Sequence, residues 1–317
     1  AERFGNRISR KKFVNDVESV AGYLDSKGIG KGDVVTVFMP NIVQCFAAFY
    51  AINRIGAIAN IVHPLTPADT FEEIIKKTHS KAIFVFDMIM EPYVDTLRRL
   101  NRLVIVCSAS DYAPKLTRPA LKVVEKVKVK SKAPSSNTAR YHTISNLSYR
   151  APKLEGNGED VAVYLHGGGT TGKSKTIQLT NANLNALAYK LSFLDEPHAP
   201  GEEFSLIVLP LFHAFGLGVA LHFSMCAGFT CIGMPTFSAD KANKYIKKYN
   251  VTYIVGVPAM YKKMYESSNF DGEHLKKLRL LWAGGDIVSY TFMHAFNSKL
   301  AKWGAKGRLY RGYGLTE

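Results

Sequence analysis

Short apolar, β-branched runs alternate with helical stretches along most of this chain, and that alternation limits it to few architectures. "VVTVF" (34–38), "AIANIV" (57–62), "KAIFVFD" (81–87) and "RLVIVCS" (102–108) each read as a buried strand. Between them, Phe13, Val17, Val20, Ala21 and Leu24 keep helical spacing, and Gly28 stops that helix. A second apolar helix is expected to run from a cap at Asn41 to Arg54, with Gly56 behind it. "TFEEIIKK" is amphipathic. Strands alternating with helices argue for a parallel, doubly wound α/β sheet.

Residues 109–159 interrupt the rhythm, being rich in Pro, Ser, Lys, Asn and Gly. They read as a long basic excursion at a subdomain boundary. The alternation resumes at Val161, with strand candidates "SLIVLP", "FTCIGM", "VTYIVGV" and "LRLLWA". Helical stretches at 240–249 and 289–303 lie between them, and Phe292, Phe296 and Leu300 share one face of the latter. A chain of 317 residues can hold two ordinary units. The expected division is 1–155 and 156–317, each an α/β unit.

The formal net charge of +15 raises the question of nucleic acid or other polyanions. Part of the excess is local: Lys115, Arg118, Lys122, Lys126, Lys128, Lys130 and Lys132 share one stretch with a single acid, Glu125. No aromatic residue interleaves with them, so no stacking platform for single-stranded nucleic acid is expected. The stretch reads as a solvated loop or exposed strand. The four cysteines, Cys45, Cys107, Cys226 and Cys231, form no C-x-x-C pair and read as buried, reduced thiols. The best apolar run, Val34 to Ile55, is broken by Pro40, Asn41 and Gln44, so no transmembrane segment is expected. A cytoplasmic protein is the expectation; nothing in the sequence sets its oligomeric state.

Gly167 to Ser174 satisfies G-x-x-x-x-G-K-[ST], the phosphate loop of P-loop ATPases and kinases. That fold needs a helix to begin at the Gly-Lys-Ser itself, so that its N-terminus meets the phosphate. Here Lys175 is followed by Thr176-Ile177-Gln178-Leu179-Thr180, an alternating, β-branched strand pattern. A helix begins only near Thr180 or Asn181, with Leu184, Leu187, Leu191 and Leu194 as its stripe. No downstream apolar strand ends in a magnesium-organising Asp. The loop is therefore expected to join two strands. Its chemistry still says phosphate: Gly167, Gly168, Gly169 and Gly172 allow close backbone approach, and Thr170 and Thr171 add hydroxyls.

On these residues the chain resembles the adenylate-forming superfamily of acyl-CoA synthetases, firefly luciferases and the adenylation domains of peptide synthetases. That family's loop reads Tyr/Phe-Thr-Ser/Gly-Gly-Thr-Thr-Gly-x-Pro-Lys-Gly, and Gly168 to Thr176 aligns with it. Ser174 replaces the usual Pro and creates the accidental Gly-Lys-Ser; Thr176 replaces the usual Gly. "LPLFHAFGL" (209–217), "LWAGGD" (281–286) and "RGYGLTE" (311–317) resemble three further family segments in the family's order. "GIGKGDVVTVFMPN" and "RIGAIANIVHPLTP" resemble its openings, so the likeness covers nearly the whole chain.

The resemblance implies two mainly parallel, doubly wound sheets with flanking helices. It implies that a carboxylate attacks the α-phosphorus of MgATP to give acyl-AMP and pyrophosphate, after which coenzyme A takes the acyl group as a thioester. By the same resemblance, Gly169, Thr170, Thr171, Gly172 and Lys175 would hold the β- and γ-phosphates. Thr316 would contact the α-phosphate, and Glu317 would coordinate Mg²⁺. Tyr313, Gly314, Gly285 and Asp286 would border the adenine of ATP or AMP, and His213 and Gly284 the acyl pocket. Two alternatives stand beside this: a module delivering to a carrier-protein thiol, and a non-catalytic nucleotide-binding homologue. The family's C-terminal domain does not follow Glu317, so the sequence reads as the large domain of a longer protein, weakly active alone.

Overall fold

The computed structural model describes residues 7–114, 116–128, 134–167, 175–194 and 198–317. They form two compact units, Ala1–Ala182 and Asn183–Glu317. The expected division at 155/156 thus moves to the start of a helix. The cause is pairing: the strand at Val161–Gly167 hydrogen-bonds to the strand at Ile58–Ile61, which commits it to the first unit.

In the first unit the chain runs α1 (Arg10–Ser26), β1 (Val34–Phe38), α2 (Val43–Arg54), β2 (Ile58–Ile61), α3 (Ala68–Lys77), β3 (Ala82–Phe86), α4 (Asp87–Met90), α5 (Val94–Leu100) and β4 (Leu103–Cys107). It continues through α6 (Arg118–Lys128), β5 (Thr138–Arg140), α7 (Tyr141–Ser145), β6 (Val161–Gly167) and β7 (Lys175–Thr180) to α8 (Asn181–Ser192), which crosses the unit boundary. The sheet order is β5-β4-β3-β1-β2-β6-β7. All pairs are parallel except β6 with β7.

Both faces of this sheet are covered, which explains why its central strands are largely apolar, with Thr36 and Asn60 the buried polar residues of β1 and β2. Phe38, Ile83, Val85, Val104 and Val106 join Phe71, Ile75, Val94 and Leu97 in one cluster, the floor for α3 and α5. The alternate residues Val35, Val37, Phe84 and Ile105 are equally sealed, on the opposite face. Helix α2 begins at Val43 with Ile42 as its cap residue and no side-chain cap. Asn41 therefore does not cap it, being one residue too early.

The excursion is more ordered than its composition suggests. Within the lysine-rich stretch, which reads from sequence as a loop or exposed strand, residues 118–128 form helix α6, while Lys115, Lys130 and Lys132 lie outside the described residues; β5 adds an edge strand to the sheet. Ala120, Leu121, Lys122, Glu125 and Lys126 are good helix formers, and Pro119 is tolerated in a first turn, so a helix forms despite the Pro and Ser around it. Helix α6 is fastened by Glu125, whose carboxylate accepts from the Ser110 backbone N–H and hydroxyl, both at 2.7 Å. Nearby, Asp111 accepts from Ser108 N–H at 2.8 Å and Gln44 Nε2 at 3.0 Å. Asp87 is sealed, and its Oδ1 has no partner. Burial, first of all, pushes Asp87 up to about 6 and Asp111 up to about 7.

The second unit continues β8 (Phe204–Ile207), α9 (Phe223–Cys226), β9 (Thr230–Gly233), α10 (Ala239–Tyr249), β10 (Tyr253–Gly256), α11 (Pro258–Glu266), β11 (Leu280–Ala283), α12 (Tyr290–Lys302) and β12 (Arg308–Arg311). Its order is β12-β11-β10-β8-β9, parallel throughout. Phe296 and Leu300 are fully buried with Tyr261 and Phe270, so the α12 stripe is core. Leu194 is 56% exposed, so the α8 stripe fades at its end. Cys45 and Cys107 are buried as expected, Cys231 is half-buried, and Cys226 is exposed at the end of α9. No helix among the described residues is long and apolar enough to cross a membrane.

Candidate functional site

Lys175 opens β7 directly opposite Gly167, the last residue of β6, and Thr176 lies opposite His166. The chain therefore returns from the glycine-rich segment as an antiparallel strand, and α8 starts only at Asn181. A P-loop fold is excluded by this pairing, since no helix N-terminus follows Ser174. Gly169, Thr170, Thr171 and Gly172 lie outside the described residues. Lys175 is exposed at the mouth of the hairpin.

Behind that mouth runs a buried polar ladder that motif reading did not reveal. His166 Nε2 is 2.6 Å from Asn60 Oδ1, and its Nδ1 is 3.5 Å from the Thr176 hydroxyl. Asn60 Nδ2 donates to the Thr36 hydroxyl at 2.8 Å, which in turn meets Ser80 Oγ at 2.7 Å. Asn60, Thr36 and Ser80 are fully buried. Burial, with the Lys77 charge a lesser cause, lowers His166 to about 4, so the ring is neutral at neutral pH. Its Nε2–H then donates to Asn60, which already spends its amide on Thr36. No sequence signal short of three-dimensional adjacency joins these residues, since 106 positions separate Asn60 from His166.

In the second unit the parallel pairing sends the carboxyl ends of β8, β10, β11 and β12 to one edge. Strand β8 lies between β9 and β10, so the winding reverses at it, and ligands of open α/β sheets bind beside such a reversal. The segment leaving β8 there carries His213, which is exposed, and then winds as a π-helix over Phe215–His222. Wide turns of this kind occur often at functional sites. Gly216 is required by contact: a β-carbon there would lie 2.2 Å from the Pro210 carbonyl oxygen.

Three of the motif segments meet at this edge. A β-carbon on Gly284 would lie 2.8 Å from the Gly312 carbonyl oxygen and 3.2 Å from the Phe215 ring. Gly312 N–H donates to Ala283 O at 2.8 Å, and Gly284 N–H to Gly256 O at 3.1 Å. Gly285 follows with φ +79°, a left-handed turn suited to glycine. Asp286 turns its carboxylate back on the Ile287 N–H at 2.7 Å. Beyond β12, Tyr313 is 92% exposed, with Gly314 and Glu317 also exposed and Thr316 half-buried. Phe215, Gly216 and Gly312 were quoted within motifs, but only the contacts reveal them as the residues that join the segments.

An exposed aromatic ring beside a glycine turn has the free face that a purine needs. Among the described residues no group of three or more His, Cys, Asp or Glu could hold a metal ion. A lone exposed carboxylate such as Glu317 fits Mg²⁺ only in the manner usual for nucleotide enzymes, where phosphates and water complete the shell.

Comparison with known proteins bears on the family and the fold. The AMP-binding enzyme family profile matches residues 2–317. A long-chain-fatty-acid–CoA ligase of Bacillus subtilis is 25% identical over 323 residues, covering 99% of this chain and 56% of its own length. A probable CoA ligase of Humulus lupulus is 27% identical, with 99% and 53% covered. The chain thus spans about half the length of these curated relatives. Among solved structures, a long-chain-fatty-acid-CoA ligase from Archaeoglobus fulgidus superposes with a TM-score of 0.77 at 21% identity, covering 99% of this chain and 59% of that one. ATP-bound MatB from Rhodopseudomonas palustris gives 0.75 at 20% identity, covering 99% and 56%. These likenesses establish the fold: two mainly parallel sheets with flanking helices.

Proposed function

The chain belongs to the AMP-binding enzyme family, and from that premise we propose that its protein activates an organic or fatty acid as the acyl-adenylate and passes the acyl group to coenzyme A. The observation that carries the reading is the meeting of Phe215, Gly284 and Gly312 at the carboxyl edge of the second sheet. It gathers the histidine, glycine-pair and tyrosine segments into one place.

A carboxylate is a poor acyl donor because its leaving group would be oxide. Transfer of AMP makes a mixed anhydride with a good leaving group, and pyrophosphate departs from the α-phosphorus as the carboxylate oxygen attacks in line. Such a step needs positioning and charge stabilisation rather than covalent help. In this proposal Gly169, Thr170, Thr171, Gly172 and Lys175 hold the β- and γ-phosphates, and Thr316 steadies the α-phosphate. Tyr313 stacks on the adenine beside Gly285, Asp286 and Gly314. His213 and Gly284 border the acyl group. Bound Mg²⁺ would neutralise phosphate charge, with Glu317 as its protein ligand.

The test is carboxylate-dependent ATP–pyrophosphate exchange by the full-length protein over a panel of acids. Exchange followed by thioester formation on coenzyme A supports the proposal. Exchange with transfer only to a carrier-protein thiol would replace the acceptor. Absence of exchange with every acid, in a folded protein that binds ATP, would leave a non-catalytic homologue.

A further inference from the structure

We propose that His166 is a positioning residue for Lys175, fixing the edge strand from which that lysine reaches the phosphates of ATP, a role that rests on the adenylation reading. Strand β7 ends the first sheet and pairs with β6 alone. Its first residue, Lys175, lies opposite Gly167, which has no side chain to pack against it. The next pair inward is Thr176 with His166, the first whose side chains can join the two strands.

The imidazole also reaches the strand on the other side. Its Nε2 is 2.6 Å from Asn60 Oδ1 in β2, and its Nδ1 is 3.5 Å from the Thr176 hydroxyl in β7. Strands β2 and β7 stand two strand spacings apart, about 9–10 Å, with β6 between them. One ring on the middle strand therefore links both neighbours. With Nε2–H given to Asn60, Nδ1 is left to accept from the Thr176 hydroxyl. Behind Asn60 the row continues to Thr36, its register partner in β1, and on to Ser80. Asn60, Thr36 and Ser80 are fully buried, so the row starts from a fixed point in the core.

Stability alone gives no reason for such a row. Replacing a hydrogen-bonded set by apolar groups of the same shape is close to neutral, and Thr36 and Asn60 stand in strands that are otherwise apolar. What donors and acceptors add is a single register, since they match in one alignment only. Alternation along β7 sends Lys175 to the face opposite Thr176, so the row holds the strand without touching the lysine. Register matters at this place because a misplacement of about 1 Å can cost about a hundredfold in rate.

The experiment is a double-mutant cycle in the full-length protein, read by ATP–pyrophosphate exchange and by calorimetric titration with ATP. His166→Ala and Thr176→Val are each made alone and together with Lys175→Ala, and folding is checked by circular dichroism. The expected result is exchange lowered about tenfold by His166→Ala and about threefold by Thr176→Val, with weaker ATP binding and an unchanged KM for the acid. Neither change should have a further effect once Lys175 is alanine. Should His166→Ala fail to fold, Thr176→Val carries the cycle, because it removes one hydroxyl and keeps the shape. Full exchange and ATP affinity in His166→Ala and Thr176→Val, beside a crippled Lys175→Ala, overturns this proposal alone. Losses that multiply in the combined variants also overturn it, since they mark a merely structural role. Unchanged exchange in Lys175→Ala, or none in the wild type, overturns the reading of the phosphate site and this proposal with it.

Discussion

The backbone of Gly312 passes so close to Gly284 that a β-carbon on the latter would stand 2.8 Å from the Gly312 carbonyl oxygen. The neighbour is main chain, fixed by the Gly312 N–H bond to Ala283, and cannot swing aside. Gly284→Ala is therefore expected to destabilise the protein by about 1–3 kcal/mol, as overpacking does. Because the displaced strand end carries Tyr313, ATP affinity should fall too. Urea unfolding and an ATP titration of one preparation measure both; an unchanged midpoint refutes the close approach.

Lys175 stands exposed where β7 begins, so its removal disturbs no packing. Lys175→Ala should lower pyrophosphate exchange about a hundredfold, roughly 2.7 kcal/mol of transition-state stabilisation. Stability should stay within about 0.5 kcal/mol. Full turnover in the variant would remove Lys175 from the phosphate site.

Tyr313 offers the same separation of function from folding, being 92% exposed. Stacking of a base on an aromatic ring is worth about 1–3 kcal/mol. Tyr313→Ala should weaken ATP binding about tenfold or more, while Tyr313→Phe retains it. Equal ATP affinity in all three proteins would show that the ring stacks on nothing.

Asp87 predicts a pH dependence. Its folded carboxyl is pushed up to about 6 by burial, above the 3.8 of an ordinary Asp, so the folded state binds the extra proton between these values. Stability is therefore lost as pH rises from about 4 to about 6. His166 works the other way, since a ring lowered to about 4 favours folding as pH rises towards its usual value of 6.5. The two slopes oppose each other in the wild type. Asp87→Asn removes one of them, so variant and wild type should diverge progressively, by on the order of 1–3 kcal/mol between pH 4 and pH 7. Parallel stability curves would show that Asp87 titrates normally.

Asn60 holds His166 through its carbonyl oxygen and Thr36 through its amide. Asn60→Leu takes the acceptor from His166 Nε2–H and one of the two partners from the Thr36 hydroxyl, which keeps Ser80; an unmade bond of this kind costs about 1–3 kcal/mol. A loss of about 2–4 kcal/mol in guanidinium unfolding is expected; a loss below about 1 kcal/mol would mean that the ladder contributes little.

Most strands were legible because parallel central strands are largely apolar on both faces, as in Leu103–Cys107 and, Thr36 apart, Val34–Phe38. The β6–β7 pairing was legible in the alternation of Thr176 to Thr180. Helix α6 was not, because Val123 and Val124 are exposed and leave no inward apolar stripe to recognise. Strand β12 was passed over since only Leu309 in it is buried. The first unit's true extent escaped because β6 reaches back across the excursion to pair with β2, and pairing at such separation has no local signature. At the site, the motif residues were legible one by one. The contact of Gly284 with Phe215 and Gly312, and the link from Asn60 to His166, arise only when strands distant in sequence become neighbours.

The antiparallel turn from β6 into β7 also bears on the order of assembly. Every other pair in both sheets is parallel and must wait for a crossover to close. Gly167 and Lys175 are joined by residues 168–174 alone, so this hairpin has the shortest loop to close and the smallest entropy to overcome. It is the pairing best placed to form early, before the sheet that receives it. The frame of the glycine-rich segment can thus take shape ahead of the rest of the protein, with no nucleotide needed as a template.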